Sequence, residues 1–253
     1  EGLIYNARDM AISRASFENI PIHLVTSVPS LETFNHIKNK KYNITKILNR
    51  FSDFKLPDTK IINLNLLKLK KNEYISEETI KLVNNFLKKK EQVLFFLNRR
   101  GYAPFLICKK CGFKHSCSNC SIYLTYHKSI NKLICHHCGL KTKKESKCKA
   151  DNNLCDFNEY GPGVEKIYEE LKLKFKNKII NIFSSDFLKK KKETLGLLEK
   201  IENNKIDILV GTQMISKGYN FPKLNCIVVV DADFSGKGYD LRTTEKNIQL
   251  YNQ

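Results

Sequence analysis

The 253-residue chain has no tryptophan and only two methionines, and its six arginines stand at positions 8, 14, 50, 99, 100 and 242. It contains no stretch of about 18 uninterrupted apolar residues, the length a membrane-crossing helix needs, which excludes a helical membrane protein. Neither Gly-x-x-x-x-Gly-Lys-Ser/Thr nor an Asp-Glu pair occurs, so the cradle for a triphosphate and the carboxylate that holds its Mg²⁺ are both missing from these residues. Low-complexity linkers are absent, and so are internal repeats beyond recurring cysteine pairs. The opening Glu1-Gly2-Leu3-Ile4-Tyr5-Asn6-Ala7-Arg8 has no initiator methionine and no basic-then-apolar signal shape. We therefore expect a piece of a longer protein.

What is present is globular in composition, 42% hydrophobic and 28% charged, in a chain long enough for one large or two ordinary domains. Acidic residues are outnumbered 26 to 44, giving a formal charge of +18. Such an excess favours a polyanionic partner, because each cation placed near a phosphate releases condensed counterions. It also suits lysines solvated at helix ends, where the macrodipole favours them, as the clusters at 38–41, 88–90 and 189–192 suggest. Charge alone leaves both readings open.

Hydrophobic patterning gives the organisation. Residues 22–26 read as a short buried strand. Ser30 reads as the N-cap of a helix with Glu32 in its first turn. A connecting region includes the apolar, strand-like run 61–67, and Ser76 opens an amphipathic helix bearing Ile80, Leu82, Val83 and Phe86. Residues 92–97 form a near-continuous apolar run, expected of a strand covered on both faces. After Gly161-Pro162-Gly163 the pattern predicts a helix over 164–175, a strand at 179–183, a helix over 187–203, and strands at 207–210 and 226–230. This alternation predicts an α/β domain with a parallel sheet. The segment between, 107 to about 160, lacks periodicity and reads as strandless.

That segment holds eight of the nine cysteines. Cys108/Cys111, Cys117/Cys120 and Cys135/Cys138 are C-x-x-C pairs, and Cys148 and Cys155 follow. Such a turn sets two thiolates on adjacent corners of a tetrahedron, at metal–sulfur distances of about 2.3 Å, and two turns close a site. Eight sulfurs suffice for two Zn²⁺. Disulfides would need an oxidising compartment, and a redox C-x-x-C normally occurs singly beside a strand. An iron–sulfur cluster also takes four thiolates, but the spacing favours zinc. Cys117, Cys120, Cys135 and Cys138 form one quartet, which leaves Cys108 and Cys111 with Cys148. The fourth ligand there is Asp151, at the C-x-x-C position, or Cys155, the softer donor four residues on. His136 and His137 read as surface groups, and His115 and His127 are weaker ligand candidates. Cys226 reads as ordinary core in a strand.

The run 211–222, Gly-Thr-Gln-Met-Ile-Ser-Lys-Gly-Tyr-Asn-Phe-Pro, follows a strand, where open α/β sheets present their ligand groups. Gly211 and Gly218 would permit sharp turns and close approach, and Thr212, Gln213 and Lys217 offer donors to an anion. With Tyr5-Asn6-Ala7-Arg8-Asp9, Ser27-Val28-Pro29-Ser30-Leu31-Glu32-Thr33, residues 96–104, Gly161-Pro162-Gly163-Val164-Glu165, Ser184-Ser185-Asp186, Asp231-Ala232-Asp233, Asp240-Leu241-Arg242, Glu245 and Gln249 to Gln253, this run makes the chain resemble the primosomal protein N′ (PriA) family of superfamily 2 DNA helicases. The resemblance covers essentially the whole chain, and a helicase core interrupted by thiolate-rich zinc sites makes it specific.

The resemblance implies a RecA-like helicase lobe carrying an irregular two-zinc module. Residues 1–69 would be the end of a first lobe with its connector, 70–104 the start of the second lobe, 105–160 the zinc insertion, and 161–253 the rest of that lobe. It implies an ATP- and Mg²⁺-dependent 3′→5′ DNA helicase that acts on stalled forks and single strands. The implied partners are primosome proteins, the machinery that loads the replicative helicase, and single-strand binding protein. The implied place is the cytoplasm at the nucleoid, with no membrane. It also implies pairing of the first cysteine pair with the last cysteines and of the second pair with the third. Residues 211–222 would couple nucleotide state to DNA grip. The chain departs from the family in lacking the phosphate loop and the Asp-Glu box, in stopping before the motif VI arginines, and in Ser27-Val28 where motif III has Ala-Thr. The competing reading is a non-enzymatic zinc-ribbon docking module, which leaves 27–33 and 211–222 without a reason.

Overall fold

The computed structural model describes residues 5–48, 57–67, 69–70, 73–97, 105–120, 122–144, 147–148, 153–184, 188, 191–216, 219–232 and 242–252. Its helices and strands run in the order α1 (Ala7–Glu18), α2 (Leu31–Lys38), α3 (Glu77–Lys88), β1 (Gln92–Phe96), β2 (Phe105–Cys108), β3 (Thr125–His127), β4 (Lys132–Ile134), β5 (Lys141–Thr142), β6 (Phe157–Tyr160), α4 (Val164–Lys174), β7 (Ile180–Phe183), α5 (Lys191–Glu202), β8 (Ile208–Gly211), β9 (Leu224–Val229) and α6 (Thr243–Tyr251). They form two compact units, residues 1–57 with 235–253, and residues 58–234.

In the first unit the starts of α1 and α2 are each fixed by a polar side chain. Asn6 Oδ1 accepts the N–H groups of Arg8 and Asp9, and Ser30 Oγ accepts that of Thr33, as its predicted N-cap role requires. Arg8 donates to Ser30 Oγ and lies 3.7 Å from Glu32, Arg242 pairs with Glu32, and Glu245 accepts the Leu31 N–H at 3.0 Å. Charge therefore stitches α1, α2 and α6 together across 200 residues of sequence. The strand expected at 22–26 does not form. Those residues carry no regular structure and no ladder, and Val25 is 95% exposed. An apolar run becomes a strand only where a neighbour takes its N–H and C=O groups, and none does so here among the described residues. Likewise the strand-like run 61–67 is coil ending in a single 3₁₀ turn, Leu64–Leu66.

The second unit is built on a parallel sheet of order β7-β8-β1-β9. β1 lies inside it and all five of its residues are buried, which is why its sequence is unbroken apolar. Val93, Phe95 and Leu97 pack with Ile208 and Val210 of β8, Val83 and Leu87 of α3, and Val164, Ile167 and Leu171 of α4. The connection β1 to β7 through α4 and the return β7 to β8 through α5 run in opposite directions along the sheet. Right-handed crossovers then place α4 and α5 on opposite faces. β9 is the edge. Its residues alternate between half-buried and exposed, so Cys226 meets the core while Ile227 is 60% exposed. The strand read as buried at 226–230 is thus covered on one side only.

Two buried polar groups lock this frame. Gln92 Nε2 donates to the carbonyls of Ile201 and Ile206 at 2.9 Å each, closing the end of α5. The Glu170 carboxylate on α4 accepts the N–H groups of Tyr74 at 3.0 Å and Ile75 at 3.1 Å, fixing the approach to α3. Burial pushes the Glu170 pKa up, and these two donors draw it back. Glu170→Ala should cost about 1–3 kcal/mol, since it strands buried donors, and chemical denaturation would measure it.

Between β1 and α4 the segment expected to be strandless contains five short strands. β2 pairs with β6, and β3, β4 and β5 form an antiparallel meander. Strands of two to four residues are too short to show alternation, so they left no periodic trace. Leu106, Leu124, Tyr126 and Leu133 make a small core of their own with Cys117 and Cys135. No helix among the described residues is long and apolar enough to cross a membrane.

Candidate functional site

Each cysteine pair sits on the same backbone frame. The N–H of the first cysteine donates to the carbonyl five residues on: Cys108 to Phe113, Cys117 to Ile122 and Cys135 to Leu140, at 2.7–2.9 Å. Gly112 and Gly139 close two of these turns at φ +68° and +79°, a left-handed conformation that suits glycine. A fourth such pattern follows Cys148, where the sequence places Asp151 at the C-x-x-C position. Cys148 donates to Asn153 at 2.7 Å and Lys147 bridges Leu154, as Ser116 bridges Tyr123 and Ile107 bridges Lys114. The frame is repeated, but its second thiolate is not: Asp151 stands in that place, and Asp151 lies outside the described residues.

The frames bring the sulfurs together. Cys117, Cys120, Cys135 and Cys138 have Sγ atoms all within 4.8 Å of one another, with Cys117–Cys138 at 3.5 Å and Cys120–Cys135 at 3.4 Å. Cys108, Cys111 and Cys148 form a second such set, with Cys108–Cys148 at 3.6 Å and Cys111–Cys148 at 3.5 Å. A tetrahedron with metal–sulfur bonds of about 2.3 Å has sulfur edges of about 3.8 Å, so both sets fit a zinc-sized ion. All nine cysteines are free thiols, so disulfides are not the reason for the clustering. Cys155 does not complete the second 4.8 Å set, but its thiol interacts with both Cys108 and Cys148.

The electrostatics of the sulfurs are divided. The backbone N–H of Cys111 leads in drawing the Cys108 thiol down to about 6. At Cys135 burial opposes ionisation, but the N–H groups of Cys138 and His137 help bring the thiol to about 6. The Cys135 sulfur in turn pushes Cys120 up to about 12, and burial with the neighbouring Cys108 pushes Cys155 up to about 12. Backbone donors thus prepare one thiolate in each set, while a hydrogen bond with a neighbouring sulfur and burial keep Cys120 protonated, and burial with the Cys108 sulfur keeps Cys155 so. A divalent cation resolves that conflict by accepting all the thiolates at once.

The histidines stand outside both sets. His136 and His137 are exposed on their knuckle, as expected. His115 is buried between the rings of Phe113 and Phe157. His127 Nε2 lies 3.0 Å from His136 Nε2, and its Nδ1 lies 3.5 Å from Glu165 at the start of α4. Beside it, Lys128 Nζ meets both oxygens of Glu169 at 2.9 Å. These contacts tie the β3–β4 hairpin to the parallel sheet's own helix, and sequence spacing gave no sign of them.

At the carboxyl edge of the sheet, Gly211 ends β8 and Thr212 is buried, with its N–H toward the Phe183 carbonyl at 3.4 Å. Gln213 opens a 3₁₀ turn to Ser216. Packing explains Gly211: a Cβ there would meet Ile215 at 3.0 Å and Leu94 at 3.3 Å. Beyond the turn, Tyr219 stacks on Phe221 with ring centroids 5.9 Å apart and meets Phe183 edge-on. Lys217 and Gly218 lie outside the described residues, as do residues 98–104, Ser185, Asp186, Asp233 and Asp240.

A parallel α/β sheet interrupted after one strand by a thiolate-rich hairpin module defines a class: a helicase C-terminal domain carrying a cysteine-rich insertion. Residues 133–253 match the helicase conserved C-terminal domain, and residues 117–143 match the cysteine-rich region domain of PriA DNA helicase. Replication restart protein PriA of Rickettsia felis is 43% identical over all 253 residues, which span 39% of that relative. The PriA proteins of Haemophilus influenzae and Bacillus subtilis are 34% and 30% identical over 249 and 252 residues, or 34% and 31% of their lengths. The chain belongs to the PriA family and corresponds to well under half the length of these relatives.

Proposed function

We propose that the protein to which these residues belong is an ATP-dependent 3′→5′ DNA helicase that recognises stalled forks and starts primosome assembly for replication restart. The observation that carries this reading is the insertion of two sulfur clusters between β1 and α4 of a helicase-type sheet. In this reading residues 1–69 belong to the end of the first motor lobe, 70–104 and 161–253 to the second, and 105–160 to the zinc module. Its partners are forked and single-stranded DNA, the replicative-helicase loading proteins and single-strand binding protein, in the cytoplasm at the nucleoid. Cys117, Cys120, Cys135 and Cys138 hold one Zn²⁺, and Cys108, Cys111, Cys148 and Cys155 the other. Gly211, Thr212, Gln213, Lys217 and Gly218 link nucleotide state to DNA.

Metal analysis of the purified chain tests the centre of this reading. Two zinc ions per chain are expected, and iron, or no metal at all, would remove it. The 253 residues do not fit a complete ATP site, since no residue in them supplies the phosphate loop or the Mg²⁺-binding carboxylate pair. Assayed by itself, the polypeptide should hydrolyse no ATP above a mock-purified control, with or without DNA. Sustained turnover that survives further purification would contradict this.

A further inference from the structure

Outside both sulfur sets, two imidazoles point at each other. His127 closes β3, on the rung that pairs it with Lys132, and His136 rides on the knuckle between Cys135 and Cys138. Their Nε2 atoms are 3.0 Å apart and their ring centroids 5.0 Å apart, so the nitrogens face each other across the gap and the rings do not stack. Two nitrogens bound to one ion at about 2.0–2.1 Å stand about 2.9 Å apart at a right angle and about 3.3 Å apart at tetrahedral corners. The gap falls between those values. Three further features suit a metal site better than a chance pair of histidines. The Glu165 carboxylate lies 3.5 Å from His127 Nδ1, on the other nitrogen of the ring. A carboxylate there favours the proton on Nδ1 and leaves the Nε2 lone pair for a cation, the arrangement that orients metal-bound histidines. Access is the second feature: His127 is buried but His136 is exposed, so an ion can enter from solvent. Charge is the third, because the Lys128 ammonium is already matched by both Glu169 oxygens at 2.9 Å.

We infer that His127 and His136 form a third metal site, separate from the two sulfur sets, for a divalent cation that imidazole suits, such as zinc or nickel. Among the described residues no third His, Cys, Asp or Glu ligand atom joins the pair within 4.8 Å, so water takes the remaining positions and the ion is exchangeable. Glu165 is a positioning residue that acts through His127. A filled site clips the end of β3 to the inner knuckle where both meet α4, and so adds a cation-dependent clamp between the module and the sheet's helix. An imidazole-to-imidazole hydrogen bond has the same length, and it is the alternative that the experiment decides. The inference rests on the zinc-filled inner set proposed above, because that ion fixes the knuckle carrying His136. It does not depend on the helicase reading.

The probe is Ni²⁺, which imidazole suits and which can be counted separately from resident zinc. The zinc-loaded 253-residue chain is dialysed to equilibrium against a series of free Ni²⁺ concentrations, and both metals are counted in the retained protein. Half the ligands of a structural zinc site put the dissociation constant at roughly 1–200 µM. One nickel ion per chain should bind in that range while zinc stays at two. His136→Gln removes one of the two ligands and should weaken uptake by about a hundredfold. Glu165→Gln should weaken it by about 10- to 100-fold, as the loss of a group that orients a ligand does. His137→Gln, a change to the neighbouring exposed histidine of the same knuckle, should leave uptake unchanged. Two zinc ions per chain in every variant verify that the knuckles are formed.

With two zinc ions retained, equal nickel uptake by the parent and by His136→Gln would overturn the third site and leave the function proposed above standing. Equal losses in His136→Gln and His137→Gln, or no uptake by the parent across the series, would overturn it in the same way. Nickel bound only as zinc is released would also overturn it, since the sulfurs would then be the ligands. A parent holding fewer than two zinc ions would count against both proposals.

Discussion

Changing Cys135 to serine, or stripping metal with a strong chelator, is expected to unfold the hairpins at 117–142 while the four-stranded parallel sheet stays folded. The Cys135 side chain is fully buried and belongs to the module's small core, with Leu106, Leu124, Tyr126 and Leu133 as its main apolar neighbours. So few side chains cannot offset the ordering of a segment of this length, since each residue costs about 1–2 kcal/mol of backbone entropy alone. Structural zinc supplies about 10–16 kcal/mol, as much as a whole domain's net stability. Hydrogen exchange read by peptide would show protection lost across 117–142 and kept in β1 and β8, whose residues are buried by α3 and α4. Unchanged protection in the hairpins after complete metal removal would refute it. The pH dependence has a fixed sign. Without metal, Cys120 is held protonated by its neighbour, so binding must expel that proton, and zinc affinity falls as pH falls. His127 and Lys128 lean on Glu165 and Glu169, so the loss should also loosen the first turns of α4.

Chemistry was more legible in the sequence than local form. The inner quartet could be read because C-x-x-C spacing is itself the geometry of a metal knuckle, and the structure adds only distances. β1 could be read because a strand buried on both faces writes an unbroken apolar run. Ser30 and Ser76 could be read because an N-cap is a local hydrogen bond, here to Thr33 and Thr79. What failed was whatever depends on partners distant in sequence. Residues 22–26 have the pattern of a strand without a neighbour, and β3 to β5 have neighbours without the length to show a pattern. The Glu170 clamp spans 96 residues to Tyr74, and His127 meets Glu165 across the hairpin and β6; no spacing rule reaches either pair. After Cys148 the C-x-x-C spacing pointed to Asp151, but with an oxygen in place of the second sulfur it could not show that Cys148 N–H meets the Asn153 carbonyl as in the other three turns.

That replacement sets the second large prediction, Cys155→Ser against Asp151→Asn. If the metal free energy of about 10–16 kcal/mol is shared among four ligands, each is worth about 3 kcal/mol, or roughly a hundredfold in affinity. The Cys155 thiol already interacts with Cys108 and Cys148, and sulfur is the softer donor for zinc. Cys155→Ser should therefore lower affinity at the Cys108/Cys111/Cys148 set by about a hundredfold, and a competing chelator should then extract one of two zinc ions first. Asp151→Asn should leave both ions equally resistant. The opposite ranking would assign the carboxylate as ligand, meaning that the repeated backbone frame outweighs donor softness. Either result separates the two influences on the site, because the frame at 148–153 and the sulfur at 155 point to different residues for the same corner of the tetrahedron.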